Sequence, residues 1–89
     1  MNNILLIYDI SEDRLRIKVS EMCKDYGLVR VQYSAFFGEL SLNLRGELER
    51  RLKELLKKSE RSSIFMFPLS EDCLNRVIQI DIRYSELSV

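Results

Sequence analysis

The chemistry open to this chain is narrow, because its 89 residues include no histidine and only two cysteines. Carboxylate chemistry remains, and Tyr8-Asp9-Ile10 places one carboxylate, Asp9, where an apolar run ends. One carboxylate binds a hard cation poorly. Two copies of Asp9 facing each other across a dimer dyad would suit Mg²⁺, which uses one or two carboxylates and keeps several waters. Such an ion polarises a phosphate and acidifies water, so metal-dependent phosphodiester hydrolysis is a reaction this residue could serve. A structural reading competes. Glu12 follows three positions on, which suits Asp9 as a helix N-cap in a capping-box-like pattern. Ser11, Glu12 and Asp13 offer rival caps, and Glu12 and Asp13 fit the first turn of a helix as ordinary acids or as secondary ligands.

Cationic and aromatic groups stand near Asp9 in the sequence. Arg14, Arg16 and Lys18 follow it and Arg30 lies on the next strand, so a phosphate beside Asp9 could meet guanidinium groups suited to bidentate contact; the same residues also fit a solvated helix face. Phe36 and Phe37 fit the core more readily than a base-stacking platform, but as adjacent residues they point to opposite sides of a strand, so one of them looks away from the helices. Cys23 and Cys73 lack the spacing of a zinc site.

Fourteen basic and fourteen acidic side chains give a net charge of zero, which argues against a simple electrostatic nucleic-acid binder. Their distribution is uneven. Residues 1–40 hold five basic and six acidic groups, residues 41–62 seven and four, and residues 63–89 two and four. The basic middle includes Arg45, Arg50, Arg51, Lys53, Lys57, Lys58 and Arg61, which could track a nucleic-acid backbone, although Glu47, Glu49 and Glu54 also make plain helix-stabilising pairs with them.

These residues need elements to hold them. Residues 3–10 form a nearly unbroken apolar run that predicts a central strand covered on both faces. Residues 11–26 switch to helical spacing, with Leu15, Val19, Met22, Cys23 and Tyr26 on one stripe, and Gly27 closes the helix. Residues 28–40 read as two strands joined near Tyr33 and Ser34, with Gly38 at a bulge or close backbone approach. Leu44, Leu48, Leu52, Leu55 and Leu56 define a second helix capped by Asn43 or Ser41. Residues 64–67 predict a fourth strand stopping at Pro68, residues 71–76 a helical turn, and residues 77–82 a fifth strand. The order is that of an α+β, ferredoxin-like β-α-β-β-α-β domain with an additional C-terminal strand.

In that arrangement both helices cover one face, yet the first strand is apolar on both: Ile4, Leu6 and Tyr8 on one side, Leu5 and Ile7 with Asp9 on the other. An uncovered apolar sheet marks an interface, and the last strand has a free edge to find, so a two-fold homodimer is expected. Residues 1–82 read as one domain and residues 83–89 as a tail. A chain this small buries only about 60–65% of its unfolded surface, which also favours association. The apolar run of residues 4–8 is too short to cross a bilayer, so no membrane partner is expected and the protein is placed in the cytoplasm with reduced thiols.

The ordered set Tyr8-Asp9-Ile10, Ser11-Glu12-Asp13, Asp25-Tyr26-Gly27-Leu28, Arg30-Val31-Gln32-Tyr33-Ser34-Ala35-Phe36, the leucine-rich second helix, Pro68-Leu69 and Cys73-Leu74 resembles the CRISPR-associated protein 2 family. That resemblance implies a ferredoxin-like fold and a homodimer. It also implies a Mg²⁺ site shared by Asp9 of both protomers, with Mn²⁺ as a substitute, and a role in spacer acquisition beside an integrase subunit. Relatives are described as endonucleases acting on RNA or duplex DNA, which makes Asp9 the catalytic and metal-binding position. The same resemblance puts Arg16, Arg30 and Phe36 at positions that look functional in relatives, and with Tyr8, Arg14 and Lys18 they make up the expected nucleic-acid contact. Lys18 stands where some relatives have arginine, keeping the charge but losing the bidentate fork, and Ala35 stands where valine is common. Two functions therefore compete, a hydrolase and a non-catalytic bridge that holds incoming duplex DNA between integrase subunits. A small-molecule regulatory domain of the same fold has no pocket signature in the sequence.

Overall fold

A computed structural model describes residues 2–82. Its elements are β1 (Asn3–Ile10), α1 (Asp13–Asp25), β2 (Val29–Gln32), β3 (Ala35–Glu39), α2 (Leu42–Leu56), β4 (Ser62–Leu69) and the short α3 (Glu71–Asn75). The strands form one sheet in the order β2-β3-β1-β4, with each neighbouring pair antiparallel. Each long helix thus connects two strands with another between them, which is the ferredoxin-like α+β arrangement.

The apolar run that makes β1 a central strand also divides its side chains between two environments, since successive residues point to opposite faces. Ile4, Leu6, Tyr8 and Ile10 are buried with Leu15, Val19 and Cys23 of α1, Leu48 and Leu52 of α2, and Phe36 of β3. On the other face no helix packs. Leu5 lies between Phe37 and Phe67, Ile7 between Ala35 and Phe65, and Asp9 beside Ser63. Phe65 and Phe67 remain 56% and 43% exposed, their rings edge to face at 5.7 Å. The expected double-sided apolar strand is present, and its second side is open.

Local chemistry explains the helix ends. Gly27 adopts φ 83°, Leu28 N–H donates to Cys23 O at 3.0 Å and Gly27 N–H to Lys24 O at 2.9 Å, so α1 closes in a Schellman motif. Ser41, rather than Asn43, caps α2, its hydroxyl accepting from Leu44 N–H at 3.2 Å. Gly38 is a close approach and not a bulge: a Cβ there would stand 2.9 Å from Leu28 Cδ2. The irregularity falls instead in β2, between Arg30 and Gln32.

Three expectations are corrected. Asp9 is a β1 residue and caps nothing; Glu12 occupies the N-cap position of α1, and its side chain makes no capping bond. Strand β4 does not stop before Pro68 but continues to Leu69, because on an edge strand only alternate N–H groups face the neighbour and a proline is tolerated. Residues 77–82 form no strand, and Val77, Ile78, Ile80 and Ile82 are 64–85% exposed. A strand needs a ladder partner, and within one chain nothing brings this segment alongside an edge. The C-terminal tail expected at residues 83–89 lies outside the described residues.

Candidate nucleic-acid interface

The residues singled out for chemistry separate onto two faces of the sheet. Asp9 is exposed on the open face, at the end of β1 beyond Leu5 and Ile7. Tyr8 turns the other way. Its ring stacks on Phe36, centroids 6.3 Å apart, and burial raises its hydroxyl above the usual tyrosine pKa. Tyr8, Arg16 and Arg30 meet in a cleft of about 550 Å³ between α1 and the β2–β3 hairpin, which Asp13, Ile17, Ser20, Glu21, Lys24 and Tyr33 also line.

Both arginines in this cleft are held by the backbone. Arg16 Nη1 donates to Ile10 O at 2.7 Å and to Ser11 O at 3.3 Å, and Arg16 also pairs with Asp13. These bonds anchor α1 to the chain leaving β1. Arg30 Nη1 donates to Tyr33 O at 2.6 Å and Nη2 to Ser20 Oγ at 2.8 Å, while its guanidinium lies 5.0 Å from the Phe36 centroid and 6.0 Å from that of Tyr33. Arg30 pairs across the sheet with Phe36, and Phe36 with Leu6, so it projects on the helix side, opposite to Asp9. Sequence reading put Asp9, Arg16 and Arg30 around one phosphate; a single chain brings together only the two arginines.

Phe36 is fully buried. It cannot offer a ring face to a base, and that expectation is corrected: the apolar strand alternation sends Phe36 into the core, where it supports Tyr8 and Arg30. Arg14 and Lys18 are exposed on α1 outside the cleft. Two features were missed. Tyr33, 76% exposed, forms the mouth of the cleft; its signal was an aromatic residue within a tight turn. Glu12 accepts from Ser59 Oγ at 2.7 Å, Glu60 N–H at 2.8 Å and Ser11 Oγ at 3.1 Å, tying the α2–β4 loop to the end of β1. The Glu60 N–H, foremost, holds the Glu12 carboxyl below its ordinary pKa. No sequence spacing announces a contact across 47 residues.

Among the described residues no cluster of three His, Cys, Asp or Glu side chains could hold a metal. Asp9 is one hard oxygen donor beside the hydroxyl-bearing Ser63. That donor set fits Mg²⁺ or Mn²⁺ only if a second copy contributes its own Asp9, and it does not fit zinc.

The fold and these groups define a small α+β domain with an open apolar sheet face, a carboxylate at its rim and a cationic, aromatic cleft behind it. Comparison with known proteins gives the family: residues 1–77 match the family model for CRISPR associated protein Cas2, and the chain belongs to that family. A CRISPR-associated endoribonuclease Cas2 of Archaeoglobus fulgidus is 41% identical over 76 residues, covering 85% of this chain and 80% of that protein. One of Desulforudis audaxviator is 54% identical over 56 residues, covering 63% of this chain and 53% of that protein. A chain of a partial Cas6-RT-Cas1–Cas2 complex superposes with a TM-score of 0.78 at 26% identity, covering 90% of this chain and 91% of that one.

Proposed function

We propose that two copies of this chain pair through the open sheet face and act in CRISPR spacer acquisition as a metal-dependent endonuclease-like unit on RNA or DNA. The observation that carries this reading is the position of Asp9 at the rim of an uncovered apolar face built from Leu5, Ile7, Phe37, Phe65 and Phe67. Two-fold pairing of that face would set two Asp9 carboxylates near one axis, a donor set that suits Mg²⁺ or Mn²⁺ with several waters retained. The ion, when bound, supplies charge neutralisation at the phosphate and acidifies water. Arg16 and Arg30, held rigid by backbone and hydroxyl oxygens, present cationic walls to the nucleic-acid backbone from the other face.

Association also gives residues 77–82 a place. A groove of about 600 Å³ runs between α2 and β4, with Leu52, Leu56, Ile64, Met66 and Pro68 as floor and Arg45, Glu49, Lys53 and Lys57 at the rim. The backbone of residues 77–82 from a second copy would add to the free edge of β4 and bring its exposed apolar side chains to shelter there. No helix among the described residues is long and apolar enough to cross a membrane.

A second reading, the non-catalytic bridge, is supported by the separation of Asp9 from Arg16 and Arg30 onto opposite faces of one chain. In it the pair contributes sheet edges to an integrase subunit of the Cas1 kind and a basic helix surface to duplex DNA. The similarity to a chain of a Cas1-containing complex favours that partner. The test compares wild type with Asp9→Ala on RNA and duplex DNA with Mg²⁺, beside reconstituted spacer integration. Cleavage lost in Asp9→Ala supports the hydrolase, and integration that survives the same substitution assigns the bridge as the main role. Equal cleavage by both proteins removes the hydrolase reading.

A further inference from the structure

We infer that the cleft between α1 and the β2–β3 hairpin is a subsite for a single unpaired nucleotide, with Tyr33 as the surface on which its base stacks. The inference rests on the nucleic-acid reading above but not on metal chemistry at Asp9. It starts from the burial of Phe36: with that ring enclosed, Tyr33 is the aromatic group of this region that solvent reaches, at 76% exposure.

Tyr33 stands on a prepared support. Its carbonyl accepts from Arg30 Nη1 at 2.6 Å, and the same guanidinium is fixed by Ser20 Oγ at 2.8 Å and backed by Phe36. The hairpin tip is therefore tied to α1 through Arg30, and little ordering remains to be done when a planar ligand arrives. Exposed Ile17, on α1, supplies an apolar wall to the same cleft.

Charge and size select the ligand class. Arg16, Lys24 and Arg30 line the cleft against Asp13 and Glu21, and Asp13 is already paired with Arg16. One net positive charge remains for a phosphate. A cleft of about 550 Å³ has room for a nucleotide-sized group. Stacking on an exposed ring beside cations is how single strands are held without sequence preference, whereas a duplex offers no free base face along its length.

The test uses the full chain in chelator, with wild type, Tyr33→Ala and Tyr33→Phe binding a labelled single strand of about 12 nucleotides, as RNA and as DNA, and the matching duplex. The Ala variant is expected to weaken single-strand binding about tenfold or more and to leave duplex binding within about twofold. The Phe variant, keeping the ring, should bind like wild type. Loss on RNA alone narrows the subsite to RNA; loss on both strands generalises it. The proposal is overturned if Tyr33→Ala changes nothing, weakens strand and duplex alike, or is matched by Tyr33→Phe. Such results alongside Asp9-dependent cleavage reject the subsite alone. A wild type that binds no nucleic acid rejects the functional reading with it.

Discussion

Tyr8 and Asp9 are neighbours in the chain and leave β1 on opposite faces of the sheet: Tyr8 is 8% exposed beneath the helices, 6.3 Å from Phe36, while Asp9 is exposed beside Ser63. A nucleic acid that contacts both must pass round the end of the sheet or engage two copies of the chain. The chemistry proposed at Asp9 and the binding proposed at the arginine cleft are therefore separable by mutation.

The open face is the first place to test. Ile7→Asp or Phe67→Asp puts a charge into the proposed interface, which would depend on burying apolar area, while leaving the helix-side core untouched. Light scattering should show wild type at the mass of two chains and either variant at the mass of one, with Mg²⁺-dependent cleavage lost together with the dimer.

Glu12 predicts an acid-sensitive contribution to stability. A carboxyl whose folded pKa lies below its unfolded one favours folding wherever the unfolded chain is ionised, and that contribution disappears as pH falls through the folded value. Because Glu60 N–H and Ser59 hold Glu12 in its charged form, wild type should melt above Glu12→Gln at pH ~7. The gap should begin to shrink as pH falls through the ordinary glutamate value of about 4.3 and should close once the pH lies below the lowered folded-state value. Melting curves of the two proteins across that range check it; a gap that widens toward acid would contradict the assignment.

Gly27→Ala should destabilise the fold by about 1–2 kcal/mol, because a Cβ at φ 83° is strained in the left-handed region although nothing lies within 4 Å of it. Gly27→Asn should lose less, since asparagine tolerates that conformation. Urea unfolding with unchanged m-values separates this backbone effect from altered packing.

The two thiols should differ in reactivity. Cys73 is exposed and Cys23 is buried, and burial pushes the Cys23 thiol up to about 11. At pH ~8 only about one Cys23 in a thousand would be thiolate. A thiol reagent should modify Cys73 alone in the native protein and reach Cys23 only on denaturation.

Much of this architecture was legible in the residues. The apolar run of β1, the leucine spacing of α2 and the glycine after Tyr26 each reflect a local rule, a period or a turn that needs positive φ. Residues 77–82 mark where that legibility ended: their alternating apolar side chains are those of a strand, but a strand is a relation between two segments and the chain itself offers no second one. Tyr33 and Phe36 failed for another reason. Phe36 is on the side of β3 that meets the helices and is enclosed, whereas Tyr33 lies in the turn before β3 and stays exposed.

Outside residues 77–82, element types, their order and the lone carboxylate at the end of β1 were settled by local sequence, because helical and strand periods are written into neighbouring residues. Tertiary pairing decided where the chemistry sits. Parity along β1 separates Tyr8 from Asp9, but only the ladder Arg30–Phe36–Leu6 carries that parity across three strands and puts Arg30 opposite to Asp9. A one-residue change of register would have put both on one face, and register is set by long-range packing, not by any stretch of sequence read alone.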